Sequence, residues 1–199
     1  MIGKDDAAIE VLDRRQLRMM VYAALMAALT AAGAWIAIPV GPVPVVLQNL
    51  FIYLAGLLLG SRWGLVSVAV YLLAGACGLP VFAGGMGGVG RIVGPTGGYL
   101  VGYLPAVFLI GLISDRWSRT LSDVLAMVAA TAVIYAAGVA WLHTLTGLSW
   151  HQTLAVGMLP FLPGDAVKIA AAAAVAKALR PVIKRAEDHP STRLAPRSG

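Results

Sequence analysis

Charged residues are scarce in this chain. Asp, Glu, Lys and Arg together make up 12% of its 199 residues, whereas hydrophobic residues make up 59% and the mean hydropathy is +0.83. These values exceed what a soluble domain of this length needs to fill one core. The scarcity of charge therefore excludes a soluble fold, and the sequence predicts a protein that crosses a membrane several times.

Reactive and metal-binding residues are scarce as well. Cys77 is the only cysteine, so an internal disulfide is excluded, and no set of metal ligands lies near it. The histidines His143, His151 and His189 are scattered, and no nucleophile elbow occurs. The glycine-rich run at residues 94–98 lacks the Lys-Ser/Thr of a phosphate-binding loop. We therefore predict no enzyme, no metal and no cofactor.

The apolar residues are grouped into segments long enough to span a bilayer. A helical crossing needs about 20 apolar residues, fewer where helices are short or break at a pocket. Six segments fit this requirement: residues 17–38, 46–60, 63–77, 97–113, 121–145 and 154–179. We predict an all-α fold, a bundle of six transmembrane helices over residues 17–180.

The basic residues predict the orientation of this bundle. Thirteen of the 15 Lys and Arg residues lie at the N-terminus, between segments two and three, between four and five, or in the tail. The opposite connections hold only Arg91, and Lys168 lies within the sixth segment. The positive-inside rule then places both termini in the cytoplasm. Residues 1–16 form a cytoplasmic N-terminal segment, and residues 181–199 a basic, flexible cytoplasmic tail.

An acid and a base stand three residues apart within the last apolar segment. An ionised Asp or Lys at the centre of a membrane helix costs roughly 2.5–3.5 kcal/mol, so Asp165 and Lys168 need a partner, water or a ligand. Residues three apart share one face of a helix. Three interpretations remain open: a helix N-cap at Asp165, an internal salt bridge, or a ligand site on the outer half of the bundle with Arg91 nearby.

Two outer connections have an unusual composition. Residues 39–45 contain three prolines and no charge, which favours a stiff extended segment that folds over a cavity as a lid, or an ordinary short turn. Residues 78–96 are rich in glycine and apolar residues, which favours a re-entrant segment around a ligand, although a flexible linker has the same composition.

Small residues recur every four positions in the first helix. Ala23, Ala27 and Ala31 form one stripe, and Ala24, Ala28 and Ala32 lie beside it. Such stripes let helix backbones approach closely, either inside the bundle or against another membrane subunit. The first helix is the best candidate for docking such a subunit.

Four motifs give the chain a resemblance to a known family. They are IPVGPVPVVLQ at residues 38–48, GLPVFAGG at 78–85, GPTGGYL at 94–100 and PGDAVK at 163–168. In this order and spacing the chain resembles the BioY family, the biotin-binding S components of energy-coupling factor (ECF) transporters. The resemblance extends from the first predicted helix to the end of the sixth.

The resemblance implies a vitamin-capture subunit of a bacterial plasma (inner) membrane. It implies an outward pocket closed by the first and third outer connections, together with a transmembrane scaffold subunit and cytoplasmic ABC ATPases as partners. Docking to the scaffold maps onto four alanines of the first helix: Ala23, Ala24, Ala27 and Ala28. This chain has no ATP-binding motif, so its partners must supply the energy.

The resemblance also implies that Asp165 and Lys168 contact biotin. Asp165 offers acceptors for the ureido N–H groups, and Lys168 or Arg91 offers a cation for the carboxylate or the ureido oxygen. Phe82, Tyr99 and Trp35 are expected to form an apolar wall, and Gln48 is a further polar candidate. Two rival functions are an S component for another vitamin of the thiamine or riboflavin class, and a membrane enzyme with Asp165 and Lys168 as acid and base.

Overall fold

Helices form almost all of the regular structure of this protein. The computed structural model describes residues 4–39, 42–117 and 119–188. Its elements are α1 (Lys4–Trp35), β1 (Ala37–Ile38), β2 (Val45–Val46), α2 (Gln48–Ala76), α3 (Val89–Val93), α4 (Gly97–Arg116), α5 (Thr120–Thr146), α6 (Trp150–Gly157) and α7 (Leu162–Asp188). Four stretches of helix are long and apolar enough to cross a membrane: Arg14–Trp35, Gln48–Ala76, Gly97–Arg116 and Thr120–Thr146. The prediction of an all-α, multi-pass membrane protein is confirmed.

Helix α2 turns back on itself at Gly60. This glycine has φ +74° and ψ −175°, a conformation that is essentially restricted to glycine. The Tyr71 hydroxyl donates to Gln48 Oε1 over 3.3 Å, whereas 23 residues of straight helix would separate the two by roughly 35 Å. The two arms of α2 therefore run antiparallel and correspond to the second and third predicted segments.

The sixth predicted segment is not one continuous helix. We expected it to begin at residue 154, but α6 ends at Gly157 and α7 begins at Leu162. The intervening turn contains Pro160, and Pro163 lies in the first turn of α7, where its missing N–H removes no helical hydrogen bond. The last helix therefore begins only three residues before Asp165. The six predicted segments thus become seven helices among the described residues, because segments two and three are joined in α2 while this break and the short α3 each add one helix.

Close contacts between helix backbones hold the bundle around α4. This helix packs against α2 on one side and α5 on the other, and α1 packs against α2. A Cβ added to Gly56 would lie 2.8 Å from Ile110, and one added to Gly98 would lie 2.5 Å from the Ala137 carbonyl oxygen. The small residues of α2 and α4 therefore serve internal packing.

A buried polar cluster ties four helices together at the end opposite the outer connections. The Arg180 guanidinium of α7 donates to both carboxylate oxygens of Asp123 over 2.6 and 2.9 Å, and to Ser114 Oγ over 2.6 Å. It also reaches the Leu57 carbonyl oxygen at 3.3 Å. The bidentate geometry is the strongest that an Arg–carboxylate pair adopts, so the cluster fixes α7 against α2, α4 and α5.

The two predicted terminal segments are partly helical. Helix α1 already begins at Lys4, and α7 continues through Pro181 to Asp188. Residues 189–199 of the predicted tail lie outside the described residues.

Candidate functional site

A cavity of about 60 Å³ lies at the end of the bundle that carries the two unusual connections. Helices α2, α4, α5 and α7 form its sides, and residues from both connections form its rim. Six of the seven residues predicted to bind substrate line it: Gln48, Phe82, Arg91, Tyr99, Asp165 and Lys168.

Asp165 and Lys168 face this cavity as a buried ion pair. Lys168 Nζ lies 2.8 Å from Asp165 Oδ1, and the two residues are 8% and 3% exposed. Tyr135 of α5 donates its hydroxyl to Asp165 Oδ2 over 2.5 Å. The predicted internal salt bridge is therefore present, and it lies in the wall of the cavity.

The N-cap interpretation of Asp165 is wrong. Helix α7 begins at Leu162, so Asp165 is already within its first turn, and its own N–H donates to the Phe161 carbonyl oxygen over 2.9 Å. Its side chain is occupied by Lys168 and Tyr135 instead of backbone N–H groups. The charge of this carboxylate is therefore directed at the cavity.

Amide and phenol groups of α2 and α4 form a second polar part of the lining. Gln48 is 2% exposed and accepts from Tyr71, while Tyr103 donates to Asn49 Oδ1 over 3.0 Å. Asn49 and Tyr103 both line the cavity. Amide side chains still have donors and acceptors left after one such bond, so this part of the wall can pair with polar ligand atoms.

Tyr99 presents apolar surface to the cavity. Its hydroxyl donates to the Gly157 carbonyl oxygen over 2.8 Å, and its ring lies where a Cβ on Gly138 would clash. The ring is thus held between α5 and α6 with its polar tip satisfied. This placement agrees with the predicted apolar wall.

Phe82 anchors the glycine-rich connection. It is 2% exposed and meets the Tyr71 ring edge-on at 5.5 Å, with an interplanar angle of 81°. It fits against Gly75 so closely that any Cβ there would overlap the ring. Turns at Gly84 and Gly85, both with φ +73°, return the chain so that Phe82 pairs with Met86. This part of the connection is thus a packed wall of the cavity rather than a linker.

The proline-rich connection also reaches the cavity. Strands β1 and β2 pair antiparallel, Ala37 with Val46 and Ile38 with Val45, so the two ends of the connection lie side by side. Val43 and Pro44 line the cavity, and Val43 is 8% exposed. Val40 and Gly41 lie outside the described residues. Val43 and Pro44 therefore form part of the cavity wall.

Arg91 lies on α3 at the rim. It is half-buried, lines the cavity, and directs Nη2 at the Met86 thioether sulfur. Sulfur is a weak acceptor, so this contact leaves the guanidinium available for a stronger one. Arg91 adds a second cation, beside Lys168, to a lining that holds one carboxylate.

Trp35 is not part of the cavity lining. It is 61% exposed, and its Nε1 donates to the Pro80 carbonyl oxygen over 2.8 Å. Its ring lies over Gly85, 3.3 Å from where a Cβ would be. The residue instead holds the glycine-rich connection against the end of α1, because its indole N–H finds a backbone acceptor there.

The alanines of α1 separate into two groups. Ala23 and Ala27 are 1% and 7% exposed, whereas Ala24 and Ala28 are exposed. The chain itself covers Ala23 and Ala27, so these two alanines do not lie on the exposed face of α1. Ala24 and Ala28 remain on the free face of the helix.

Sequence reasoning missed several lining residues. Those with polar side chains are Asn49, Thr96, Tyr103 and Tyr135. Tyr135 lies in an apolar run of α5, where the only available signal was one phenol among alanines and valines. Within the described residues, no group of three His, Cys, Asp or Glu side chains is placed to hold a metal. The lining as a whole offers one carboxylate, two cations and amide groups around an apolar body.

Comparison with known proteins points to one family. The model of the BioY family matches residues 7–185. The biotin transporter BioY of Thermotoga maritima is 40% identical over 164 residues, covering 82% of this chain and 96% of that protein. That of Rhodobacter capsulatus is 39% identical over 199 residues, covering 92% and 99%.

A solved structure matches as well. The crystal structure of the S-component for biotin from an ECF-type ABC transporter superposes with a TM-score of 0.80 at 29% sequence identity. The match covers 84% of this chain and 93% of that one. The curated relatives are named transporters, and the structural match is a transport component.

Proposed function

Because this chain belongs to the BioY family, we propose that it takes up biotin as the membrane-embedded, high-affinity binding subunit of an ECF-type transporter. The observation that carries the proposal is the buried Asp165–Lys168 pair in the wall of this cavity. A buried charge inside a membrane protein is energetically costly, so it marks a candidate substrate site.

The chemistry of biotin fits the lining group by group. Its ureido ring carries two N–H donors and one carbonyl acceptor, its thiophane ring and valeryl chain are apolar, and it ends in a carboxylate. A carboxylate has about four acceptor positions, and Asp165 uses two of them on Lys168 and Tyr135. The remaining positions accept ureido N–H groups, and the rings of Tyr99 and Phe82 cover the apolar body.

The two cations can pair with the two ends of biotin, the ureido oxygen and the carboxylate. Lys168 keeps two donors after its contact with Asp165 and lies beside the ureido position. Arg91 lies at the rim, where a planar guanidinium can pair with the valeryl carboxylate. We therefore assign the ureido end to α7 and the carboxylate end to α3.

The subunit sits in the bacterial plasma membrane with both termini in the cytoplasm, as the positive-inside rule requires. The cavity then opens outward beneath the two connections. Transport needs an ECF scaffold subunit and cytoplasmic ATPases. Ala24 and Ala28 support docking of the scaffold, since they form a smooth exposed stripe on α1.

A thermal-shift screen of the purified full chain against a vitamin panel tests this function. Biotin should raise the melting temperature at low micromolar concentration, whereas thiamine and riboflavin should not. Stabilisation by another vitamin and not by biotin would identify that vitamin as the substrate. Turnover of a substrate by the chain alone would indicate an enzyme.

A further inference from the structure

A second crevice, of about 560 Å³, lies at the opposite end of the bundle. It is bounded by α1, the bend of α2, the end of α4 and α7, and it shares no lining residue with the outer cavity. Its apolar floor comprises Met19, Met20 and residues 57–59. With the termini in the cytoplasm, this crevice lies where the helices leave the inner leaflet.

Positively charged groups dominate its polar lining. Arg15, Arg62 and Arg180 line it against a single carboxylate, Asp115. Arg180 is already neutralised by Asp123, and Asp115 Oδ2 accepts from the N–H and the hydroxyl of Ser61 over 3.1 and 2.9 Å.

Arg15 and Arg62 differ from Arg180 in having no such partner. Both are exposed, and within the described part of the chain neither has a hydrogen bond or an ion pair. They lie on different elements, Arg15 on α1 and Arg62 just past the bend of α2. Two uncompensated guanidinium groups therefore border one crevice with an apolar floor.

We propose that this crevice binds the phosphate of an anionic phospholipid from the inner leaflet. Arg15 and Arg62 pair with the phosphate oxygens, because guanidinium groups match phosphate in a bidentate manner. The acyl chains then lie along Met19 and Met20, and Trp63 sits at the interfacial level that indole rings favour. Basic pockets between transmembrane helices on the cytoplasmic side suit lipid head groups of this class.

A pair of double variants tests the proposal on the detergent-purified full chain. In R15Q/R62Q both crevice arginines lose their charge. In the control R116Q/R119Q two exposed arginines near the same end lose theirs, and neither lines the crevice. Each sample is titrated with dioleoylphosphatidylglycerol, dioleoylphosphatidylcholine and inorganic phosphate. Bound lipid is counted by native mass spectrometry, and biotin affinity is measured on the same samples.

Wild type and the control should retain phosphatidylglycerol in preference to phosphatidylcholine. R15Q/R62Q should bind phosphatidylglycerol about 30-fold more weakly, since each basic residue near an anionic surface contributes about 1 kcal/mol and 1.4 kcal/mol is tenfold. Biotin affinity should be equal in all three proteins, which separates this site from the proposed function.

Several results would overturn the proposal. Equal weakening in both double variants would indicate general surface charge. Equal competition by inorganic phosphate at the same concentration would indicate a site for free phosphate. Unchanged lipid binding in R15Q/R62Q would show that these two arginines do not bind the lipid phosphate.

Discussion

The candidate site depends on the carboxylate of Asp165. Asp165 is 3% exposed, and each carboxylate oxygen accepts a hydrogen bond: Oδ1 from Lys168 and Oδ2 from Tyr135. Both bonds involve an ionised group and are therefore stronger than neutral ones. They hold the carboxylate in one orientation, so a ligand finds its acceptor positions already aligned and loses less entropy on binding.

The first prediction concerns Tyr135. Replacing it with Phe removes the hydrogen bond that orients Asp165 without opening a cavity. A hydrogen bond to a charged group contributes about 1.5–3 kcal/mol, so biotin affinity should fall roughly 10- to 100-fold in an equilibrium binding assay.

Thr153→Val is the control for Tyr135→Phe. Thr153 is fully buried and donates its hydroxyl to the Ser149 carbonyl oxygen over 2.9 Å, and it does not line the cavity. Its loss should lower the melting temperature and leave biotin affinity unchanged. A similar loss of affinity in both variants would mean that Tyr135 acts only through general stability.

The charged residues of the site were predictable from the sequence, whereas several of the neutral ones were not. Asp165 and Lys168 stand out because a charge in an apolar segment requires compensation. Tyr135 and Asn49 carry no such penalty, and only the packing of α5 and α2 against the cavity reveals their role. Trp35 was misplaced for the same reason: the direction of its ring depends on how the glycine-rich connection folds.

At the scale of elements, two features set the position of the site. The bend at Gly60 lets the two arms of α2 pack side by side, which places Gln48 beside Tyr71 under the cavity. The length of α7 connects Asp165 near its start to Arg180 near its end. The cluster around Arg180 therefore fixes the helix that carries both α7 residues of the site.

Gly60→Ala should destabilise the protein. Its backbone conformation costs a non-glycine residue about 1–3 kcal/mol, and the added Cβ would lie 2.5 Å from Asp115 Oδ1. Thermal melting in detergent should show the loss. Gly90→Ala is the control, because Gly90 lies in helix α3 with no atom within 4 Å of an added Cβ. An equal melting temperature for Gly60→Ala and wild type would contradict this account of the bend.

Arg180→Gln should be more destabilising than the double variant D123N/R180Q. The single change leaves a carboxylate buried without its cation, which costs about 3 kcal/mol, near the lower end for a broken buried pair because the Arg180 side chain is 20% exposed. The double change removes both charges. Thermal melting of the two variants tests this order of stability. A lower melting temperature for the double variant than for Arg180→Gln would contradict it.

The sequence predicted the helices well and their breaks poorly. Apolar runs identify spans because a bilayer demands about 20 residues without charge. The break between α6 and α7 depends on how Pro160 and Pro163 are accommodated, and a proline in the first turn of a helix looks the same in sequence as one that ends a helix. The start of α7 at Leu162 was therefore not predictable from the sequence.

At the scale of the whole molecule, the bundle separates two tasks on two faces. The cavity in which we propose that biotin binds lies at one end, and Ala24 and Ala28 lie exposed on α1. Ala23 and Ala27 face inward, so the same helix serves the fold with one stripe and is available to a partner with the next. Capture and assembly can then be disrupted independently.

Ala24→Leu combined with Ala28→Leu should block assembly with the scaffold and leave biotin binding intact. Larger side chains prevent close approach of helix backbones. Copurification with the scaffold subunit and biotin binding by the isolated chain give the two readouts. The control pair is Ala170→Leu with Ala174→Leu, since both alanines are exposed, four residues apart, on α7. Loss of assembly in the control pair alone would move the docking surface to α7.

The most direct test of the central claim is the equilibrium dissociation constant of biotin for the purified full chain. It should be measured for wild type, Asp165→Asn, Lys168→Met and the control Val167→Ala, whose side chain lies 69% exposed on the other face of α7. We expect tight binding by wild type and Val167→Ala. The Kd should be at least about 30-fold higher for the other two, since truncating one partner of a buried charge pair costs about 2 kcal/mol or more. Unchanged affinity in both Asp165→Asn and Lys168→Met, with all four proteins folded, would contradict the account.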